Sequence, residues 1–414
     1  MPRRTCRLSG EPLEAVLDLG EPFVSDFLSA VDPAAPRGRL RLGLAPTSGF
    51  LQMYETVDPD LLYRRYWYRS GTNATMRGQL ADVVRTAEQW VRFDVGDVVL
   101  DIGCNDGTLL ASYPRDVGLV TVGVDPAANL APEARAAVDL HATAYFDGET
   151  VLELTDGRQA KVITTIAMFY DLDDPCGFTR DLLRCLRPDG VWILQLSYTP
   201  LMLQQNAFDN ICHEHVGYHS LRSLLYLFDR HDLEVLDAEL NEVNGGSVRL
   251  VVTRRSNERP EAAGYRLELG RVRREALRTY EDNQGFHTSE VHHQFAARVD
   301  RLRCQTLELL DELTRQGKQV WGYGASTKGN TLLQYYGITT EQVTAIADRQ
   351  PQKVGRVTTG SWIPIVSEQE MRAARPDYLL VLPWHFTDEF LSREADLRRD
   401  GTRFIIPLPE LRVV

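Results

Sequence analysis

Apolar and polar positions along the chain change period from segment to segment, and the changes mark out the elements. Residues 1 to about 70 hold short apolar runs, LEAVLDLG, GRLRLGLA and GFLQMYE, separated by Gly and Pro. That pattern predicts a small β-containing unit. It ends in the aromatic stretch LLYRRYWYRSGTNATMR. Apolar residues then recur at helical spacing through MRGQLADVVRTAEQWV, predicting a helix that leads into the strand VVLDIG. From there GLVTVGVD, AKVITTIAM, DLLRCLRPDG followed by VWILQLS, a helix around SLLYLFDRHD, LEVLDAEL and SVRLVVTR alternate strand with helix. Such alternation implies a mostly parallel sheet covered on both faces, with the last two strands as an antiparallel edge. A polar helical stretch near residue 261, EAAGYRLELGRVRREALRTYEDNQ, carries an interior Gly that argues against one continuous helix. A second alternating set follows: VDRLRCQTLELLDELTRQG, QVWGYGAS, TLLQYYG, VTAIAD, DYLLVLPW and RFIIPLP. The C-terminal third is thus read as a second α/β domain.

With 414 residues the chain exceeds what one compact core fills. The pattern divides it into a small N-terminal domain (1–72), a ligand-binding α/β domain (73–255) and a C-terminal α/β domain (256–414), with a cleft expected between domains. A formal net charge of -12 argues against a nucleic-acid or anionic-membrane surface, so no nucleic-acid or membrane partner is expected. No apolar run is long enough to span a bilayer, and no continuous apolar stretch follows the basic residues at the start. A cytoplasmic enzyme is the expectation. The six cysteines are scattered without a CxxC pair, which reads as free thiols.

VVLDIGCNDGTLL, at 98–110, places Asp101 at a strand end, with Gly103 and Gly107 in the turn that follows. Glycines permit a tight turn and close backbone approach to a ligand at the carboxyl end of a sheet. The spacing is not the GxGxxG of a pyrophosphate-binding loop, so a donor without phosphates fits better. Asp125 in VGVDPAAN ends the next strand, where a carboxylate can accept hydrogen bonds from two ribose hydroxyls. Together the two segments resemble the S-adenosylmethionine pocket of class I methyltransferases. Asp101, Gly103, Asn105, Gly107, Asp125 and Pro126 are the candidate donor contacts, although Asn105 can also be read, with Asp106, as a turn former.

ICHEHVGYHSL at 211–221, together with YWYRSGTNATMR, NGGSVR at 244–249, GYGASTKGNTLL at 322–333 and VGRVTTGSWIPI, resembles the signature segments of actinomycete deoxysugar C-methyltransferases. The resemblance runs in order over nearly the whole chain. It implies a class I S-adenosylmethionine domain, a C-terminal Rossmann-like domain for the nucleotide-sugar, and methylation at C-3 of a thymidine-diphosphate 4-keto-deoxysugar through an enolate. A base must take the proton beside the ketone, the enolate oxygen must be stabilised, and carbon and methyl must be held close. His215 aligns with the family's catalytic histidine. Glu214 is assigned to orienting the sugar or the imidazole, and His213 is either a second polarising group or structural. Tyr68 resembles an aromatic that covers donor and sugar, and Ser70 a contact to the donor's carboxylate end. Tyr63, Tyr66 and Trp67 read as packing. Arg249 either meets a phosphate or is an ordinary hairpin residue. GYGASTKG opens a helix whose N-terminal amides can hold a diphosphate, which assigns Ser326, Lys328 and Asn330 to the nucleotide-sugar. Lys353 and Arg356 are further candidate phosphate partners.

Two departures stand out. Relatives carry an N-terminal zinc site of two cysteine pairs; here the matching positions are Cys6, Ser9, Ala45 and Ser48, so no metal is expected. Cys212 stands where relatives often have a tyrosine, and Asn244 where they have a histidine, which alters the substrate contacts. Three alternatives remain open at this point. They are an additional reduction of the 4-keto group with NADPH, O-methylation of a sugar or small aglycone, and nucleotide-sugar binding without turnover. Coupling to a glycosyltransferase or ketoreductase of the same pathway is a further expectation.

Overall fold

Three larger β-sheets and one two-stranded pair make up the strands of the computed structural model, which describes residues 2–257 and 264–414. In the N-terminal part the strands are β1 (Glu14–Asp18), β2 (Phe27–Leu28), β3 (Arg41–Ala45) and β4 (Phe50–Met53). β1, β3 and β4 form an antiparallel sheet that is completed by Gly217–Tyr218 from far along the chain. β3 and β4 are almost wholly buried, so this sheet has no solvent face along its middle.

The central sheet takes β5 (Val98–Ile102), β6 (Val120–Val124), β7 (Leu140–Ala142), β8 (Ala160–Ile166) and β9 (Leu186–Ser197). After β10 (Gly217–Tyr218) it adds β11 (Leu233–Asn241) and β12 (Ser247–Arg254). Its order is β11-β12-β9-β8-β5-β6-β7. β5 through β9 run parallel, and β12 lies antiparallel to both β9 and β11, as the expected edge pair does. Because the chain leaves β5 toward β6 on one side and later returns to β8 on the other, a crevice opens at the carboxyl ends of β5 and β8. Such switch points are where open α/β sheets bind ligands.

The C-terminal sheet repeats this design. Its strands are β13 (Val320–Tyr323), β14 (Ile346–Asp348), β15 (Val357–Thr358), β16 (Ile365–Ser367), β17 (Tyr378–Val381), β18 (Arg403–Ile406) and β19 (Arg412–Val413). The order β16-β14-β13-β17-β18-β19 leaves out β15 and puts a second switch point between β13 and β17. β15 instead pairs with β2, joining residues 357–358 to 27–28.

The polar stretch is helical as its pattern predicts, past the glycine that weighed against its continuity. Gly264–Gln284 is one continuous helix in spite of its interior glycine. A Cβ at Gly270 would stand 2.1 Å from the carbonyl oxygen of Leu236, so the glycine permits the close approach of this helix to β11 rather than breaking it. Residues 261–263, where the sequence pattern starts this helix, lie outside the described residues. Among the described residues, no helix is long and apolar enough to cross a membrane.

Candidate active site

Both switch points open onto one cavity of about 940 Å³, lined at one end by Gly103 and Asn105 and at the other by Gly324 and Ser326. On the central-sheet side, Asp101 ends β5 with its carboxylate buried, accepting a 2.6 Å hydrogen bond from the Thr164 hydroxyl on β8. Burial and the neighbouring Asp125 charge push Asp101 up to about 7, with Thr164 opposing. Asp125 Oδ2 accepts from the Asn105 amide, and Oδ1 from the Ala127 amide, both at 2.8 Å. Its carboxylate, with Pro126, thus stands fixed beside the β5 loop, each oxygen having a second lone pair to offer. Gly103 has φ 76, and a Cβ there would press on Met168 at 3.0 Å. A fixed carboxylate at the second strand end and an open backbone at the first suit an adenosyl donor.

Asn105 and Asp106 do more than form the turn. Asn105 Oδ1 accepts from the Ser70 amide at 3.0 Å, its Nδ2 donates to the Tyr68 carbonyl at 3.1 Å, and Asp106 Oδ2 accepts from the Gly71 amide at 2.8 Å. These bonds clamp the segment carrying Tyr68 and Ser70 against the loop, with both side chains on the cavity wall. The other end of the segment is tied elsewhere: Trp67 Nε1 donates to Asp26 at 2.8 Å, and the Trp67 carbonyl accepts from Gln350 at 3.2 Å.

Cys212, Glu214 and His215 converge, with one polar atom from each lying within 4.8 Å of the others. A backbone bond from the Val216 amide to the Tyr170 carbonyl, 2.9 Å, draws their loop onto the segment after β8. The Tyr170 ring packs edge-on to His215 with centroids 4.4 Å apart. His215 Nδ1 lies 2.7 Å from the Asn210 carbonyl, and burial, aided by the Lys328 charge, pushes the imidazole down to about 3. Burial pushes the Glu214 carboxyl up to about 7, against the pull of Thr327 and Lys328. Asn244, with φ 55, offers its carbonyl to Lys328 Nζ at 3.4 Å. Ser326 caps the helix Thr327–Tyr336, its hydroxyl accepting from the Gly329 amide at 3.0 Å. Lys353 Nζ donates to the Ala325 carbonyl at 2.7 Å.

Five of the sequence-derived candidates lie off the cavity wall. His213 turns away, its Nε2 paired with the Gly38 carbonyl at 2.8 Å, because successive side chains of the loop point in different directions. Arg249 is buried in the central sheet, donating at 2.8 Å to Gln195, Asp82 and Thr86, so its guanidinium has protein acceptors and no path to a phosphate. Arg356 spends its donors on the carbonyls of Gln352 and Phe27 and lies over the Trp67 ring. Asn330 is buried within its helix, away from the cavity. Gly107 faces the helix Ala131–Ala137, where a Cβ would meet Ala137 at 2.7 Å. Its freedom serves packing rather than ligand contact.

Other cavity residues went unread. Tyr63, read as packing, donates its hydroxyl to the Glu214 carbonyl at 2.8 Å. Asp171 and His385 also line the cavity, in the loops that follow β8 and β17. Their position just beyond strand carboxyl ends is the signal that would have found them.

At the zinc-like positions, Cys6 Sγ accepts from the Leu8 and Ser9 amides at 3.3 and 3.4 Å and lies 3.6 Å from Ser48 Oγ, which in turn reaches the Ala45 carbonyl. One thiol, two hydroxyls and a methyl group do not make a four-coordinate zinc donor set.

Residues 73–238 match the family model described as a methyltransferase domain, and residues 242–409 the one described as a C-methyltransferase C-terminal domain. Solved structures that are similar include the magnesium protoporphyrin IX methyltransferase ChlM of Synechocystis PCC 6803, 14% identical over 44% of this chain and 78% of that one, with a TM-score of 0.31. Another is a SAM-dependent methyltransferase of Geobacter sulfurreducens, 18% identical over 45% of this chain and 74% of that one, also at 0.31. The C-methyltransferase NovU of Streptomyces niveus is 30% identical over 99% of this chain and 96% of its own length. A relationship that spans both α/β domains and the segment before them settles the family: the chain belongs to the C-methyltransferases.

Proposed function

We propose that the protein transfers the methyl group of S-adenosylmethionine to C-3, the carbon beside the ketone of a thymidine-diphosphate 4-keto-deoxysugar. The observation that carries this reading is the neutral, backbone-anchored His215 placed in a cavity that also holds the Asp101–Asp125 strand ends. Transfer to carbon needs a base at the acceptor, and an imidazole held neutral can take that proton.

Asp125, Gly103, Asn105 and the clamped Tyr68–Ser70 segment would hold the donor, which supplies an electrophilic methyl on a sulfonium. The remaining work falls to the chain itself. His215 takes the proton from carbon, Glu214 binds or orients the sugar beside it, and Ser326 with Lys353 receives the nucleotide end at the C-terminal sheet. The clamped segment lines the cavity between the donor loop and the C-terminal sheet, held to the first by Asn105 and to the second by Gln350. C-methyltransferase membership sets aside O-methylation, which would need no carbon acid.

Incubation with methyl-labelled S-adenosylmethionine and thymidine-diphosphate 4-keto-6-deoxysugars, followed by mass spectrometry and NMR of the product, tests the reading. One added methyl on carbon, at C-3, is expected. Label found on oxygen, or no transfer to any such sugar, would overturn it.

A further inference from the structure

Five cationic side chains line the cavity: Arg69, Lys328, Arg349, Lys353 and Arg393. Four of them have a carboxylate within 4.0 Å. Arg69 holds Glu133, Arg349 reaches Glu389, Lys353 reaches Asp348, and Arg393 holds Glu368. Among the described residues, Lys328 has no such partner, and its one hydrogen bond is the long 3.4 Å contact to the Asn244 carbonyl. An ammonium carries three N–H donors, so two of them lack a protein acceptor.

Lys328 is also the cavity cation whose charge bears on the catalytic cluster. It opposes the rise of the Glu214 carboxyl and adds to the fall of His215 and His385. Burial pushes the Lys328 ammonium down from its ordinary range, and the nearby Asp209 and Glu214 charges oppose that fall; Asp209 Oδ2 accepts from Trp384 Nε1 at 3.0 Å, while Oδ1 is buried without a partner. The residue sits in the first turn of the helix Thr327–Tyr336, where the free amides already make the field positive. A cation is unfavourable there for the helix, and since among the described residues no carboxylate lies within 4.0 Å of Lys328, its unfilled N–H donors are left to an acceptor that enters the cavity.

We propose that Lys328 is a catalytic residue whose ammonium hydrogen-bonds the ketone oxygen of the substrate and stabilises the enolate formed when His215 takes the adjacent proton. This rests on the carbon-methylation reading above, and it moves Lys328 from the diphosphate, its assignment from sequence, to the reacting carbonyl. In the step, the C–H bond breaks and an N–H bond forms at Nε2 of His215. The C–H pair becomes the new C=C π bond, and the former C=O π pair settles on oxygen, where it meets the ammonium. No oxidant or reductant takes part.

Enolisation can be read without methyl transfer, as deuterium entering the carbon beside the ketone when the full-length protein is incubated with thymidine-diphosphate 4-keto-6-deoxyglucose in deuterium oxide. Lys328→Met is expected to slow this exchange by about 10²–10³-fold, the size of losing one preorganised oxyanion donor. Thymidine diphosphate affinity, measured by calorimetry, should be unchanged. Lys328→Arg keeps the charge and should recover part of the exchange; it also supplies the reading if the methionine variant does not hold its melting temperature. Exchange at the unaltered rate in Lys328→Met, or a loss matched by an equal loss of thymidine diphosphate affinity, overturns the proposal and returns Lys328 to the phosphate. Absence of exchange with the unaltered protein overturns the carbon-acid reading itself, and the role of Lys328 falls with it.

Discussion

The imidazole of His215 is held by the carbonyl of Asn210, with Nδ1 and the oxygen 2.7 Å apart. A carbonyl only accepts, so Nδ1 carries the proton and the lone pair is left on Nε2. The imidazole proposed as the base is thereby fixed in both tautomer and direction. His215→Ala should lower kcat for methyl transfer by about 10²–10⁴-fold, the usual worth of a positioned base. Affinity for S-adenosylhomocysteine should not change. Single-turnover kinetics and calorimetry separate the two, and a variant that keeps its kcat would remove His215 from the role of base.

The pH profile should not show the usual histidine limb. With His215 pushed down to about 3, the imidazole is already neutral at pH 5, whereas Glu214 titrates near 7. As pH rises through 7, Glu214 loses its proton, and the new negative charge beside the imidazole favours the imidazolium that forms during proton transfer. We therefore expect kcat/KM to rise between pH 6 and 8, and Glu214→Gln to flatten the rise. A transition near 6.5 that survives in Glu214→Gln would contradict this.

Asp125 should govern the donor alone. Its charge-assisted hydrogen bonds are worth about 1.5–3 kcal/mol each, so Asp125→Ala is expected to weaken S-adenosylhomocysteine binding by about 10–100-fold. Thymidine diphosphate binding, read in the same calorimeter, should be unaffected, because that ligand belongs to the opposite end of the cavity.

Arg249 has the reverse signature. Its guanidinium is buried and donates to Gln195, Asp82 and Thr86. Arg249→Met leaves the buried Gln195 acceptor short of a partner and should cost about 2–3 kcal/mol in urea unfolding. KM for the nucleotide-sugar should hold; a raised KM at unchanged stability would restore the phosphate assignment.

Cys6, Ser9, Ala45 and Ser48 gather as a metal knuckle would, with amide-to-sulfur bonds already formed at Cys6. Replacing Ser9, Ala45 and Ser48 by cysteine should therefore create a site that binds one zinc per chain and raises the melting temperature when loaded. Zinc content by elemental analysis checks it, and a folded triple variant that takes up no zinc would show that the four positions do not face one point.

What could be read from the sequence, and what could not, follows the range of the interactions. Asp101, Gly103 and Asp125 were legible because a strand, its turn and the next strand are written within 30 residues. His215 and Glu214 were legible through the resemblance of their short segment. Arg249 stayed open between phosphate and hairpin because its partners Asp82 and Thr86 lie 167 and 163 residues away, and nothing near NGGSVR signals them. His213 stayed open between a polarising and a structural role, because its acceptor, the Gly38 carbonyl, lies 175 residues away. Gly270 looked like a helix breaker because the carbonyl of Leu236 that it makes room for is visible only once β11 is packed.

The two-residue pairing of β2 with β15 has a consequence for how the molecule is made. Phe27 and Leu28 leave the ribosome more than 300 residues ahead of Val357 and Thr358, their strand partners. Gly217–Tyr218, which completes the first sheet, also arrives late. The segment carrying Phe27 must therefore wait for its strand partner until residues 357–358 have been synthesised. During that interval the apolar side chains around β2 lack the strand that pairs with them, which raises the exposure of this segment to aggregation.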